Sequence, residues 1–286
     1  MRVLVTGGAG FIGSHLVEAL LGQEHKVIVM DDLSLGKKSN LASVLERRDL
    51  TTLFWDVRDT EFVSDMVKRA ELVYHLAGWN RVKSQADLAE AVGVNVIAAS
   101  SVLSAALRHS VRMVYASCSD VYGKQTRQPI CEESECRLGP TSDPEWAFAS
   151  MKLMAETACL SCAEKELPVT ILRLFDVYGP RDRSGLTDKL LQLKASGQGD
   201  GLLARSLMYV SDVVDALMLA GQAPLAVGEI INIGWNRPAL ESCVLPDSSN
   251  LWVADTSKAR RLLGFEPKVH LDEGLALTQS YVGEAG

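Results

Sequence analysis

Short, nearly unbroken apolar runs alternate along the first two thirds of the chain with longer stretches whose apolar residues recur every three to four positions. The runs Arg2–Thr6, Lys26–Asp31, Leu50–Asp56, Glu71–Gly78, Val111–Ser117 and Pro168–Leu174 predict strands. The stretches Ser14–Leu21, Glu61–Ala70, Asp87–His109 and Glu145–Lys165 predict helices. Strands apolar on both faces belong in a parallel sheet covered by helices on either side. The expected fold is therefore α/β, a doubly wound parallel sheet of the Rossmann kind. Its ligands sit beyond the carboxyl ends of the strands. No internal repeat or low-complexity linker divides the chain. Residues 1–174 with 207–234 are expected to form this main domain. A small discontinuous annex, 175–206 with 235–286, is expected beside it.

Composition changes this picture little. With 286 residues the chain is long enough for one large core. A net charge of −7, with no basic cluster interleaved with aromatics, argues against a nucleic-acid partner. No apolar run is expected to reach the length of a membrane span, and the amino terminus enters a strand without signal-peptide architecture. The expected location is the cytoplasm. The six cysteines (118, 131, 136, 159, 162 and 243) lack the paired spacing of a zinc site, so no metal is expected and free thiols are.

The strongest chemical signal lies between the first strand and first helix, in Thr6-Gly7-Gly8-Ala9-Gly10-Phe11-Ile12-Gly13. Gly8, Gly10 and Gly13 carry the spacing of a dinucleotide-binding turn. There the backbone bends sharply and approaches a pyrophosphate, and the helix N-terminus offers free N–H groups. Asp31, which ends the second strand 18 residues after Gly13, is placed to accept hydrogen bonds from ribose hydroxyls and to repel a 2′-phosphate. This favours NAD over NADP. Asp56 and Val57 stand where an adenine edge is met. Leu76, Ala77 and Gly78 let a cofactor lie against the backbone. His75, at the end of a buried strand, reads as a core histidine. Arg81 and Lys83 face either substrate phosphates or water.

These residues resemble the extended short-chain dehydrogenase/reductases of the NAD-dependent epimerase/dehydratase type. The likeness rests on the glycine turn, Asp31-Asp32-Leu33-Ser34, Asp56-Val57-Arg58, His75-Leu76-Ala77-Gly78 and Asn95-Val96. It continues through Val121-Tyr122-Gly123, Leu172 to Pro180, Tyr209 to Val214, Asn232-Ile233-Gly234 and Asp255 to Arg260. The resemblance implies NAD held by Gly7, Gly10, Phe11, Ile12, Gly13, Asp31, Asp32, Ser34, Asp56, Val57, Leu76, Ala77, Gly78 and Lys152. It implies a nucleoside-diphosphate sugar as substrate, met by Asn80, Asp176 and Arg205, and oxidation of a sugar carbon, usually C4, with transient NADH. It further implies a homodimer built on the helix after Ala89 and the helix bearing Lys152.

Two positions depart from the family pattern. Phe148 stands where the family has its tyrosine base, four residues before Lys152 and on the same helix face. Cys118 stands at the family's Ser/Thr position, followed by Ser119 and Asp120. A phenyl ring has no proton to exchange, and a thiol is a poorer hydrogen-bond donor than a hydroxyl. Three explanations are open: an engineered Tyr→Phe change, chemistry reassigned to Cys118, Asp120 or Glu145, or an NAD-binding member without catalysis. The annex also looks reduced between Arg183 and Gln198 and between Trp235 and Val253, so a dehydrogenase or lyase for a smaller substrate is a further alternative. Asp176, at a position the family commonly gives to asparagine, is unfavourable beside a diphosphate unless Arg173 or Arg205 compensates.

Overall fold

The structure is a computed structural model that describes residues 1–80, 85–196, 204–239 and 251–285. Seven strands form one sheet in the order β3-β2-β1-β4-β5-β6-β9, parallel throughout. They are β1 (Arg2–Thr6), β2 (Lys26–Met30), β3 (Leu50–Leu53), β4 (Leu72–His75), β5 (Arg112–Cys118), β6 (Val169–Leu174) and β9 (Ile230–Ile233). The chain runs from β1 outward to β3 and then crosses back to β4. That reversal opens a crevice at the carboxyl ends of β1 and β4, as doubly wound sheets do at their switch point.

Both faces are covered. On one side α1 (Phe11–Gly22) and α7 (Val210–Gln222) pack with Leu16, Val17, Leu20, Val213 and Leu217. On the other lie α2 (Thr60–Lys68), the helix Gln85–His109 and α5 (Ala147–Ala163), with Val63, Val67, Val102, Leu103 and Ala155 buried. The inner strands β1, β4, β5 and β6 are buried on both faces, which is why their sequences show no strict alternation; the edge strand β3 is not.

Three expectations need correction. The long helix is not uniform: α3 (Gln85–Val92) and α4 (Ala99–His109) are joined by a π-turn at Gly93–Ala98. By length and composition Asp87–His109 also reaches what a membrane span requires. In the fold it is a layer helix, and it buries Val94, Asn95, Ala98, Val102 and Ala106 against the sheet side. The β3 run is shorter than expected because the Trp55 amide turns back to the Leu53 carbonyl at 3.0 Å.

The late segments are interleaved. β7 (Val177–Tyr178) pairs with β8 (Met208–Tyr209) in a separate two-stranded sheet. Tyr178, Tyr209, Leu190 of α6 (Leu186–Ser196) and Leu275 of α9 (Leu271–Ala285) form its own core. The segment 207–210, assigned above to the main domain, thus sits partly in this small unit. Conversely α8 (Ser257–Leu263), assigned to the annex, puts Ala259 and Leu263 into the main core.

Candidate active site

The switch-point crevice is a cleft of about 910 Å³. Its floor is the turn after β1. Gly7 has φ +73°, and a Cβ there would meet the Ala77 amide at 2.7 Å. A Cβ on Gly13 would run into the Gly7 carbonyl. Side chains are therefore excluded from the two places where the turn closes on itself and on the β4 loop. Gly7, Gly10, Phe11, Ile12 and Gly13 all line the cleft, with the α1 N-terminus opening into it.

Asp31 lies beside this turn. One carboxylate oxygen accepts the Ala9 amide and the other the Leu33 amide, each at 2.9 Å. Burial pushes its pKa above the usual carboxylate value, with the two amides working in the opposite direction. Asp32 and Ser34 also line the cleft and bond each other at 2.5 Å. Val57 lines it too. Asp56 does not: its carboxylate is held by the Arg58 guanidinium at 2.6 Å, outside the cleft. Its place in the sequence suggests a carboxylate facing the ligand, but the arginine two residues on draws it away.

Leu76, Ala77, Gly78 and Asn80 form the wall after β4. Asn95, inside the π-turn, clamps this wall through the Trp79 backbone, accepting its amide at 3.0 Å and donating to its carbonyl at 2.8 Å. A π-turn that serves a functional wall in this way is a recurrent arrangement. Arg81 and Lys83 lie outside the described residues. His75 stands behind the wall, fully buried, with Nδ1 2.7 Å from Thr6 Oγ1 and its ring stacked on Tyr115. Burial, with the nearby Lys152 charge, lowers its pKa to about 3, so it is a neutral core histidine.

Lys152 reaches the cleft from α5. It is buried, and its ammonium donates to the Ala116 carbonyl at 2.8 Å. The Tyr115 ring centroid lies 4.8 Å away and that of Phe148 5.6 Å away. Burial lowers its pKa, with Cys118 and Glu156 opposing. One helical turn separates Phe148 and Lys152, which brings both into the cleft with Cys118, Ser119 and Asp120 from the end of β5. Burial drives the Cys118 thiol pKa far upward, and the Asp120 charge adds to it. Ser119 Oγ is buried and accepts the Trp252 indole N–H at 3.2 Å. Asp120 is exposed within the cleft, whereas Glu145 does not line it.

At the far side Asp176 lines the cleft and Arg205 does not. The Arg205 guanidinium is taken by Asp176 at 2.5 Å and lies over the Trp252 ring. The anticipated compensation for Asp176 thus comes from Arg205, at the expense of its freedom to reach into the cleft. Arg173 is committed elsewhere, to buried Glu156 at 2.7 Å. Glu156 also accepts the Ser117 hydroxyl at 2.5 Å, and this links α5, β5 and β6 behind the site. Among the cleft residues missed from sequence are Trp55, Asn40, Arg181 and Arg183. Trp55 and Asn40 sit near the expected ribose position. Trp55 has one signal in the sequence, its place two residues past β3; Asn40, in the turn Lys38–Leu41, has none.

The glycine cradle, the half-satisfied Asp31 carboxylate and the buried lysine fit an adenine dinucleotide. The model of the NAD dependent epimerase/dehydratase family matches residues 3–234. The chain belongs to this family. Its cofactor is accordingly NAD, and its relatives are enzymes. The chain is 36% identical over 243 residues to a UDP-N-acetyl-alpha-D-glucosaminuronate decarboxylase of Bacillus cytotoxicus, covering 82% of this chain and 74% of that one. It is 31% identical over 314 residues to UDP-glucuronic acid decarboxylase 6 of Arabidopsis thaliana, covering 98% and 88% respectively. The fold superposes on UDP-glucose 4-epimerase of Thermotoga maritima, solved with UDP-glucose, with a TM-score of 0.84 at 30% identity and coverage of 100% and 99%. It also superposes on UDP-glucuronic acid 4-epimerase of Bacillus cereus, solved with NAD, with a TM-score of 0.82 at 27% identity and the same coverage.

Proposed function

We propose that this family member oxidises the C4 position of a nucleoside-diphosphate sugar, with Asp120 as proton acceptor in place of the absent tyrosine. The observation that carries this reading is the contrast among the three candidate groups. Asp120 is exposed and lines the same cleft as Lys152, burial pushes the Cys118 thiol pKa upward, and Glu145 does not line the cleft. NAD, when bound, supplies the two-electron acceptor for the hydrogen leaving C4. Asp120 takes the hydroxyl proton. The Lys152 ammonium supplies a fixed positive charge at the cleft floor. Phe148 keeps water from that charge and contributes no proton.

Relatives named for decarboxylating or epimerising UDP-uronic acids support a substrate of that class. The test is incubation of purified protein with UDP-glucuronic acid, UDP-N-acetylglucosaminuronic acid and UDP-glucose, with products read by NMR. Conversion of one of them is expected. Tight NAD retention with every sugar returned unchanged would favour an NAD-holding scaffold. Exposed Ile97, Met154 and Leu160, on the π-turn and α5, support a homodimer through these packed helices.

A further inference from the structure

We infer that Trp55 is the adenine platform of the cofactor site. The indole lines the cleft yet remains about half exposed (48%), an uncommon state for the largest apolar side chain. It is nevertheless fixed in place. Its Nε1 donates to Asp59 at 2.9 Å, and its ring packs on Phe62 with centroids 4.9 Å apart. Asp59 is also the N-cap of α2 and accepts the Phe62 amide, so the group that starts the helix also orients the indole.

The position is set by register. Met30 pairs with Leu53, and the Asp31 amide donates to the Leu53 carbonyl at 3.1 Å, so Trp55 emerges next to the ribose-binding carboxylate. Asp56 is withdrawn by Arg58, which leaves the Trp55 face as the large flat surface at this end of the cleft. A preorganised aromatic face binds a purine by stacking at little entropic cost, because its rotamer is already chosen. The inference depends on NAD as the cofactor and is independent of the sugar chemistry.

The test uses nucleotide-free protein and three probes: NAD, ADP and nicotinamide mononucleotide. Calorimetry on wild type, Trp55→Ala and Trp55→Phe reads the affinities. Loss of a base–aromatic stack is expected to weaken NAD and ADP about tenfold in Trp55→Ala, with nicotinamide mononucleotide unchanged and Trp55→Phe close to wild type. ADP is also expected to quench indole emission in wild type, and much less in Trp55→Phe. ADP affinity unchanged by Trp55→Ala, equal losses for ADP and nicotinamide mononucleotide, or identical quenching in Trp55→Phe would each overturn the assignment.

Discussion

At Lys152 a cation is kept out of water by one carbonyl and two aromatic rings, and burial pulls its pKa below the ordinary lysine value. A phenol at position 148 would lie against that ammonium and be ionised more easily, since a nearby positive charge favours the anionic form. Replacing Asp120 by asparagine is expected to lower kcat by about 10²–10⁴ with KM little changed, the usual loss for a positioned acid–base group. Adding Phe148→Tyr to that variant is expected to restore much of the rate; steady-state kinetics of the single and double variants check both statements. His75 allows a separate check. Its folded pKa of about 3 lies below the unfolded value of 6.5, so the unfolded chain binds the extra proton between these limits. The stability it contributes is complete above pH 6.5 and is lost as pH falls toward 3, at about 1.4 kcal/mol per unit. Urea unfolding at pH 7.5 and 5 should show wild type losing about 2 kcal/mol more than His75→Gln.

Among the elements, α5 is tied to β5 and β6 by the Glu156–Arg173 pair and the Ser117 hydroxyl, all buried. Removing one member of such a pair strands a charge, so Glu156→Gln is expected to cost about 3 kcal/mol in urea unfolding. A double replacement by Glu156→Leu and Arg173→Met is expected to lose less, because no buried charge is left unpaired. The sheet strands were legible because strands buried on both faces must be apolar throughout, and each runs into a turn or helix signal. The end of β3 was not, because Trp55 and Asp56 continue its β-prone pattern while the Trp55 amide and Arg58 bend the chain away. Nor was the π-turn: Asn95 is a single polar residue in a helical pattern, and its purpose appears only when the Trp79 backbone stands opposite it. β7 and β8, two residues each, are too short to show a period. Of the site, the glycine turn and Asp31 carry spacing that can be read in one dimension. The withdrawal of Arg205 by Asp176 and of Asp56 by Arg58 depends on partners that spacing does not rank.

Over the whole molecule, the crossing from β3 back to β4 places the cleft, and the late segments close its far side through Asp176, Arg181 and Arg183. The opposite helical layer leaves Ile97 and Met154 more than half exposed on packed elements, a pattern expected of a surface covered by a second copy. Sedimentation velocity is expected to find a dimer that Met154→Glu shifts toward monomer without loss of NAD. In the proposed reaction a hydrogen leaves the sugar for the dinucleotide bound in this cleft. It is tested most directly by mixing NAD-loaded protein with UDP-glucuronic acid and UDP-N-acetylglucosaminuronic acid in separate single-turnover runs followed at 340 nm. A transient rise is expected with one of them, slowed when its C4 hydrogen is replaced by deuterium. A flat trace with both sugars, from protein shown to retain NAD, would contradict it.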